Sequence, residues 1–225
     1  MIDIVIATRN RHKFRELKAL LRTRGVRWHS LMAFPAVHSI DETGRTFDAN
    51  AINKALAVAR ATGYLALADD SGLEVDVLGG NPGVRSARFA GRHGDDRANN
   101  QKLLRLLNGL PSTKRRARYR CSLALASPRL QAVTQGGRRG RSGERSRTTS
   151  PFRLVALTQG TWHGRIATRP AGHRGFGYDP LFLVPRYGKT VGQLAAATKQ
   201  RLSHRARAAR RMRPVLQRLA SHARR

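Results

Sequence analysis

The stretch that decides the fold is IDIVIATRNRHK, which occupies Ile2–Lys13. Its apolar run, broken only by Asp3, predicts a short buried strand over Ile2–Ala7. A polar loop follows, and the next apolar residues recur at helical spacing until Gly25, a typical helix stop. These apolar residues are Phe14, Leu17, Leu20 and Leu21. A strand, a polar loop and a helix in this order indicate the opening of an α/β domain.

Further along the chain, helical and strand patterns keep alternating. An alanine-rich segment closed by Gly63 predicts a helix over about Thr46–Thr62, and another helix is predicted over Asp95–Leu107. Strands are predicted at Tyr64–Ala68, Leu73–Val77, Arg118–Ala126, Phe152–Gly160 and Pro180–Pro185. The last helix, about Thr198–Ala223, is expected to kink or break at Pro214. The pattern indicates a single α/β or α+β domain over residues 1–225.

Charge is distributed unevenly along the chain of 225 residues. It has 44 Lys and Arg against 13 Asp and Glu, a net charge of +31. Residues 1–96 hold 11 acids and 14 bases, whereas residues 97–225 hold 2 acids and 30 bases. Arginine supplies 37 of the 44 bases and is scattered, with no interleaved aromatic run of the kind that stacks on bases. We therefore expect the excess to be surface arginine, and nucleic acid not to be a specific partner.

One segment concentrates this positive charge. Residues 136–151 carry five arginines and no apolar residue before Pro151. Such a composition cannot form a packed core. It predicts a flexible, solvated basic loop between two strands.

Cysteine content and the amino terminus bear on location. Cys121 is the only cysteine, so no intramolecular disulfide can form, as is typical of reducing compartments. The chain begins without a basic and apolar leader, and no apolar run approaches the roughly 18 residues of a membrane span. We expect a soluble, cytoplasmic protein without membrane contact.

The adjacent carboxylates of Ala68–Gly72 (ADDSG) are the strongest chemical signal. They follow an apolar strand, at the end of which open α/β sheets tend to bind their ligands. On extended backbone Asp69 and Asp70 point to opposite sides, so one faces a given site while the other holds the loop or a second ligand. Together with Asp41 and Glu42 they offer the hard oxygen ligands that Mg²⁺ prefers. A polar turn between strands is the alternative.

A second signal lies in the loop before the first helix. Thr8, Asn10 and Lys13 present a hydroxyl, an amide and an ammonium group at a helix start, whose free N–H groups also attract anions. The pattern is typical of phosphate binding, but a plain helix cap at Asn10 with a solvated Lys13 explains it equally well. Towards the carboxyl terminus, Phe176 and Tyr178 either stack on a base or fill the core, and core packing is favoured without further context.

Short motifs occur along the chain in an order that is characteristic of one family. They are T-x-N-x-x-K at Thr8–Lys13, D-E-T-G at Asp41–Gly44, A-D-D-S-G at Ala68–Gly72, G-G-N-P-G at Gly79–Gly83, S-A-R at Ser86–Arg88, F-G-Y-D-P at Phe176–Pro180 and S-H-R at Ser203–Arg205. In this order they resemble the inosine/xanthosine triphosphate pyrophosphatase family, which hydrolyses non-standard purine nucleoside triphosphates. The resemblance runs from about Ile4 to about Arg207.

The resemblance implies a fold and a reaction. The implied fold is an elongated α/β structure with a mixed central sheet flanked by helices and a substrate cleft between two lobes, usually in a homodimer. The implied reaction is Mg²⁺-dependent hydrolysis of ITP, dITP and XTP to the monophosphate and pyrophosphate, which cleanses the nucleotide pool.

The resemblance also implies roles for individual residues. Asp70 resembles the family's proton acceptor, which is also a metal ligand. Asp41 or Glu42 resembles the family's second acidic metal ligand. Lys13 is expected to act in catalysis and, with the rest of its loop, to grip the triphosphate. The implied substrate-binding residues are Thr8, Arg9, Asn10, Arg11, His12, Lys13, Ser71, Phe176, Gly177, Tyr178, Asp179, Lys199, His204 and Arg205.

The chain departs from the family pattern in three places, one of which is the segment 136–151, longer and far more basic than the family pattern implies. Where members commonly read T-F-x-E-N-A, this chain has Ala49, so an acid near the metal is missing or displaced to Asp48. The acids that usually precede Ser203 are absent from Gly192–Lys199. Two other functions stay open: a related pyrophosphatase for modified pyrimidine nucleotides, and a basic nucleic-acid-binding protein on the same scaffold.

Overall fold

A mixed sheet forms the centre of the computed structural model, which describes residues 1–37, 40, 42–128 and 153–223. Its strands are β1 Ile2–Ile6, β2 Val26–Ser30, β3 Leu65–Val75, β4 Arg116–Ser127, β5 Arg153–Ile166, β6 Phe182–Val184 and β7 Lys189–Thr190. They lie in the order β2-β1-β3-β4-β5-β6-β7. β1 pairs in parallel with β2 and β3, and each later pairing is antiparallel.

Helices cover both faces of this sheet. Their bounds are α1 Arg11–Leu20, α2 Phe47–Thr62, α3 Asp96–Leu106, α4 Ala196–Leu202 and α5 His204–His222. α1 and α5 pack in one hydrophobic cluster with β1, β3 and β4, whereas α2 belongs to a second cluster on the other face. α3 contributes Leu103 to a third cluster, around β5 and β6. Within the residues described, no helix is long and apolar enough to cross a membrane.

The β1–α1 unit forms as the sequence predicts. Ile4, Val5 and Ile6 are fully buried. Asn10 caps α1, because its Oδ1 accepts hydrogen bonds from the backbone N–H groups of His12 at 2.9 Å and Lys13 at 3.0 Å. The cap fixes where the loop ends and therefore holds Lys13 in the first turn of the helix.

Alanine lets α2 lie close to the sheet. The helix and strand β3 share one cluster of fully buried alanines, namely Ala51, Ala55, Ala59, Ala66 and Ala68. Because small side chains occupy both surfaces, the helix and the strand can pack closely. Gly63 ends α2 in the left-handed conformation, with φ 71°. This packing holds Lys54 of α2 next to the middle of β3.

The predicted division between a strand at Tyr64–Ala68 and another at Leu73–Val77 is wrong. β3 is continuous over Leu65–Val75 and carries the two aspartates in its middle. The turn-like composition is overridden because β4 pairs with β3 along its whole length from Ala66 onwards. β1 pairs with β3 only as far as Leu67. Beyond that residue β1 no longer covers the edge of β3.

The predicted break at Pro214 is also wrong. The break in the carboxyl-terminal helix lies at Ser203, between α4 and α5, and α5 continues through Pro214. Ser203 has extended backbone, with ψ 160°, and its hydroxyl accepts a hydrogen bond from the N–H of Ala206 at 3.1 Å. This local cap competes with a continuous helix. Pro214 is tolerated because it is exposed, where the unbonded carbonyl of the preceding turn can reach water.

The predicted α/β class and mixed central sheet are confirmed. β4 and β5 are longer than the sequence predicts. The predicted loop 136–151 and the first residue of the predicted strand Phe152–Gly160 lie outside the described residues.

Candidate active site

A cleft of about 640 Å³ opens beside β3, beyond the end of β1. This volume is typical of a small-molecule site. The loop after β1, the middle of β3, the segment 175–179 and the start of α5 form its walls. The predicted site residues that line it are Thr8, Arg9, Asn10, His12, Lys13, Glu42, Asp70, Ser71, Phe176, Tyr178, Asp179, His204 and Arg205.

Asp69 is a buried carboxylate surrounded by donors. Its Oδ2 lies 3.2 Å from Lys13 Nζ and 3.4 Å from Arg205 Nε. Its Oδ1 accepts hydrogen bonds from the Ser71 hydroxyl and, at 3.2 Å, from the Cys121 thiol. Burial opposes ionisation, but Arg205 and Lys13 outweigh it, and the pKa of Asp69 lies well below its usual range. Asp69 is therefore ionised at neutral pH.

Asp70, its neighbour in sequence, has the opposite environment. It is buried, and its Oδ2 has no hydrogen-bond partner among the described residues. Burial and the nearby Glu42 raise the pKa of Asp70 to about 6, against the opposing effect of Lys54. Asp70 can therefore hold or release a proton close to neutral pH.

Glu42 is held at the cleft by two cations. Its carboxylate pairs with Lys54 Nζ, and its Oε2 lies 3.6 Å from Arg88 Nη1. Arg88 also donates to the Glu42 backbone carbonyl at 3.2 Å. Burial opposes ionisation of Glu42, but Lys54, Lys13 and Arg88 outweigh it and lower the pKa of this carboxyl. Glu42 is thus an anion of fixed position.

Asp70 and Glu42 together fit a hard divalent cation. The buried Asp70 Oδ2 lacks a partner among the described residues. The negative charge of Glu42 also opposes ionisation of the Asp70 carboxyl. A bound cation would relieve both conditions. No group of three or more His, Cys, Asp or Glu suited to a metal occurs in the described part of the chain. Two carboxylates with water and phosphate oxygens nevertheless form a usual ligand set for Mg²⁺.

The loop before α1 combines a helix cap with an ion pair. Asn10 is the cap, and Thr8 Oγ1 accepts a hydrogen bond from the N–H of Asn10 at 3.2 Å. Lys13 is only partly exposed, and its ammonium group pairs with the buried Asp69. Arg9 donates to the backbone carbonyl of Val37. The loop is therefore held in place and presents its cation at the cleft.

Phe176 lies on the cleft wall among cations. Its ring centroid is 4.6 Å from Lys199 Nζ and 5.2 Å from Arg205 Cζ, and the His12 ring stacks on it at 6.2 Å. Tyr178 is different: it is buried, and its hydroxyl donates to the Ser86 carbonyl at 2.9 Å. Core packing therefore describes Tyr178, whereas Phe176 is only half-buried and offers its ring to the cleft.

Asp179 fixes the loop that carries Phe176. Its Oδ2 accepts hydrogen bonds from the N–H of Phe176 at 3.0 Å and from Lys199 Nζ at 2.6 Å. A Cβ at Gly175 would collide with this oxygen, and Gly175 has φ +85°, so only glycine fits there. Asp179 thereby holds Phe176 beside Lys199.

His204 is a buried neutral histidine at the cleft. Its ring stacks on Tyr119 with centroids 4.7 Å apart, and the Tyr119 hydroxyl donates to Asp179 Oδ1 at 3.3 Å. Burial and the adjacent Arg205 lower the pKa of His204 well below its usual value. Within the described residues its Nδ1 has no partner. A neutral ring with an unpaired nitrogen can form a hydrogen bond with a ligand.

Some predicted site residues lie elsewhere. Arg11 is exposed at the first position of α1. The N–H of Gly177 donates to Asp96 Oδ2 at 2.6 Å. Lys199 lines an adjacent pocket of about 270 Å³. Asp41 lies outside the described residues.

Asp48 does not replace the acid that the family pattern has at Ala49. Its carboxylate accepts hydrogen bonds from Ser122 Oγ at 2.5 Å and Gln159 Nε2 at 2.6 Å, on β4 and β5. These contacts hold Asp48 against the sheet, and it does not line the cleft. The departure at Ala49 therefore leaves Glu42 and Asp70 as the predicted metal ligands that line the cleft.

Sequence reasoning missed several residues that build the site. Glu16 Oε2 lies 3.4 Å from Arg205 Nη1, and Lys54 and Arg88 hold Glu42. Glu16 had a usable signal, because it follows Lys13 by three positions and so shares its side of α1. Arg88 belongs to the S-A-R motif, but neither it nor Lys54 had a signal that paired it with Glu42, because that partner is distant in sequence.

Comparisons with known proteins find relatives over almost the whole chain. A family model described as the Ham1 family matches residues 4–215. A protein of Desulforamulus reducens named dITP/XTP pyrophosphatase is 45% identical over 221 residues, 98% of each chain. A solved HAM1 protein from Coxiella burnetii gives a TM-score of 0.78 at 36% identity, covering 97% of this chain and 100% of that one. A solved nucleoside-triphosphatase / dITP/XTP pyrophosphatase from Mycobacterium abscessus gives a TM-score of 0.70 at 38% identity, covering 95% and 100%. This chain belongs to the Ham1 family.

Proposed function

We propose that this chain hydrolyses the non-standard purine nucleotides ITP, dITP and XTP to the monophosphate and pyrophosphate. That it is a nucleoside triphosphate pyrophosphatase follows from its family and from relatives named for this activity. One observation carries the chemistry: adjacent residues of one strand supply an ionised Asp69 and an Asp70 whose pKa is about 6, in one cleft. Asp69 holds the cations Lys13 and Arg205 in place, and Asp70 accepts the proton.

Asp70 is the proposed proton acceptor. Attack of water on the α-phosphorus requires a group that takes a proton as the new bond forms. The Oδ2 of Asp70 has no other partner among the described residues, and its raised pKa makes the carboxylate a better base than an ordinary aspartate. Without a bound cation the Asp70 carboxyl has a pKa of about 6, and a bound cation would favour the ionised form that accepts the proton.

Asp70 and Glu42 are the proposed ligands of a Mg²⁺ cofactor. When bound there, Mg²⁺ neutralises charge on phosphate oxygens that are negative in both substrate and leaving group. Lys54 and Arg88 keep the Glu42 carboxylate in position. Thermal unfolding is measured at increasing Mg²⁺ concentrations. Mg²⁺ should raise the unfolding temperature of the wild type and leave that of Asp70→Asn nearly unchanged. Equal stabilisation of the two proteins would exclude Asp70 as a ligand.

Lys13 is the proposed grip on the triphosphate. Its ammonium group already lies at the cleft, paired with Asp69. The positive end of the α1 dipole lies beside Lys13 and also favours an anion, although Asn10 accepts hydrogen bonds from the N–H groups of His12 and Lys13. The Lys13 ammonium group can therefore contact the phosphates of a bound triphosphate from its present position.

Phe176 is the proposed stacking surface for the base. Its ring lines the cleft, and the neighbouring Lys199 and Arg205 add positive charge around it. Arg205 and backbone N–H groups are candidate donors to a 6-oxo group, and the unpaired nitrogen of His204 is another polar contact. A 6-amino purine would leave such donors unpaired, which can discriminate by roughly 10⁴.

Product analysis tests the proposal. Purified protein is incubated with Mg²⁺ and ITP, dITP, XTP or ATP, and the released phosphate is identified. Pyrophosphate from the first three, with little reaction on ATP, is expected. Release of orthophosphate, or equal rates on ATP, would contradict the proposal. A panel of modified pyrimidine triphosphates addresses the related alternative, which faster turnover of those substrates would favour.

We also propose a homodimer, as the family resemblance implies. Size-exclusion chromatography with light scattering measures the mass of the protein in solution. A mass of two chains is expected, and a mass near 25.0 kDa would contradict the dimer.

A further inference from the structure

We propose that the outer surface of α1 and α5 binds nucleic acid without regard to sequence. This surface, called here the α1–α5 face, is formed by two helices that pack side by side on the sheet. Arg213 of α5 joins them, because its Nε donates to the Leu20 carbonyl at the end of α1 at 2.7 Å. The inference is independent of the proposed reaction.

The α1 side of this face is a row of cations. Arg11, Arg15 and Lys18 recur at positions i, i+4 and i+7, so they share one stripe of the helix. All three are exposed, and the exposed Arg22 follows just after the helix ends. The buried residues Leu17 and Leu20 lie on the side facing the core. The row therefore faces solvent along the length of α1.

The α5 side carries a second row. Arg207, Arg211 and Arg218 recur at i, i+4 and i+11, again on one stripe, with Arg210 beside them, and all are exposed. Arg207, Arg210 and Arg211 each donate one hydrogen bond to a backbone carbonyl. Such bonds fix the side chains but leave their charge uncompensated. The two helices pack side by side and bury their opposite stripes, so both rows lie on the outer, solvent-facing side of this helix layer.

No acid on these helices balances the charges. The acid of α1 is Glu16, whose side chain is only 12% exposed and is paired with Arg205, and α4 and α5 contain none. Arg118 on β4 gives the contrast, because it forms ion pairs with Glu74 at 2.6 Å and Asp76 at 3.1 Å. The α1–α5 face is thus a single-sign surface.

Several properties of the face favour nucleic acid as the partner. Guanidinium groups bind phosphate with two parallel hydrogen bonds, and a row of them matches a repeating phosphate backbone. The 19 residues of α5 span about 28 Å, the length of about eight base pairs. The rows contain no aromatic side chain for stacking on bases, so recognition is expected through the backbone and without sequence preference.

An anionic membrane is a poorer match. The exposed large hydrophobic residues of the described chain are Met1, Met32, Tyr64, Val77 and Leu106. None of them lies on α1, α4 or α5. Helices that bind membrane surfaces combine basic residues with apolar side chains that enter the lipid. The α1–α5 face has only the basic component.

The experiment compares two variants that lose the same charge. The test variant replaces Arg15, Lys18, Arg22 and Arg218 with glutamine, all outside the cleft. The control replaces Arg105, Lys114, Arg116 and Arg186 with glutamine, and these four are exposed on other surfaces. Each protein is titrated against a labelled DNA duplex of mixed sequence, about 20 base pairs long, over a salt series beginning near 50 mM. ITP hydrolysis is measured in parallel.

The wild type should bind the duplex with a steep salt dependence. The test variant should bind about 10-fold or more weakly, and the slope of log K against log salt should decrease by about 0.9 for each phosphate that is no longer neutralised. The control should bind as the wild type does, and both variants should hydrolyse ITP normally. Equally weakened binding in the two variants, no binding even at low salt, or tighter binding to anionic vesicles than to DNA would each overturn the proposal.

Discussion

Asp69 and Asp70 are adjacent on β3, yet their carboxylates lie on opposite faces of the strand in opposite electrostatic states. Asp69 contacts Lys13 and Arg205 and is ionised. Asp70 has an oxygen without a partner among the described residues and a pKa raised to about 6. The alternation of side chains along a strand is what separates them. One residue of spacing therefore provides both an anchor for cations and a base.

Replacing Asp70 with asparagine should abolish turnover without unfolding the protein. The amide has nearly the same shape but cannot accept the proton, and loss of a general base typically lowers kcat by about 10²–10⁴-fold. Steady-state hydrolysis of ITP measures the loss, and circular dichroism checks the fold. A variant that keeps more than a few per cent of wild-type activity would rule out a central role for this carboxylate.

The same pair of proteins should differ in how stability depends on pH. Because the pKa of Asp70 is raised from 3.8 to about 6 in the folded state, its favourable contribution is complete below about pH 3.8 and is lost as pH rises through about 6. Relative to Asp70→Asn, the wild type should therefore lose on the order of 3 kcal/mol of unfolding free energy across this window. Urea unfolding of both proteins in chelator, at several pH values, measures the difference. A difference that does not change with pH would contradict the raised pKa.

At neutral pH Asp69→Asn should destabilise the protein, whereas Asp70→Asn should stabilise it. Asp69 is the shared partner of Lys13 and Arg205, and Arg205 is itself buried. Removing one charge of a buried network leaves the others uncompensated, which typically costs about 3 kcal/mol or more. Urea unfolding at about pH 7.5 should show Asp69→Asn less stable, and Asp70→Asn more stable, than the wild type. Shifts of the same sign in both variants would refute the assignment of the two environments.

Much of this arrangement could be predicted from local patterns. The strand-loop-helix opening, the cap at Asn10 and the opposite orientation of the two aspartates follow from spacing alone. The identity of the ionised aspartate did not, because it depends on Arg205, which is distant in sequence. The continuity of β3 likewise depends on pairing with β4, which overrides the turn-like composition at Ser71. Local rules were insufficient wherever the decisive partner came from another element.

Tyr119→Phe tests a contact that no sequence motif indicated. The Tyr119 hydroxyl donates to Asp179, which in turn holds Phe176 and Lys199. Deleting the hydroxyl keeps the stacking on His204 and removes one buried hydrogen bond, worth about 0.5–1.5 kcal/mol. We expect KM for ITP to rise about 3-fold to 10-fold with a smaller change in kcat. If kcat falls and KM stays constant, Tyr119 does not act through the base-binding loop.

Gly72→Ala should disturb the site through packing alone. A Cβ at Gly72 would lie 2.5 Å from the Gly83 carbonyl, 2.5 Å from Ser86 Oγ and 2.9 Å from Phe47 Cε1, and the backbone carbonyl cannot move without shifting the turn Gly83–Arg88. Overpacking of this kind destabilises by about 1–3 kcal/mol. It should also displace Asp70 and Ser71 and lower activity.

Gly63→Ala is the matched control for that substitution. Gly63 has φ +71°, but no described atom lies within 4 Å of the place that a Cβ would take, so alanine there adds backbone strain of about 1 kcal/mol and no clash. Gly63 also lies at the far end of α2 from the cleft. Urea unfolding and ITP hydrolysis of both variants separate the two effects: Gly63→Ala should lose stability and keep activity, whereas Gly72→Ala should lose both. Full activity in Gly72→Ala would show that the close contact between β3 and the Gly83–Arg88 turn does not support the site.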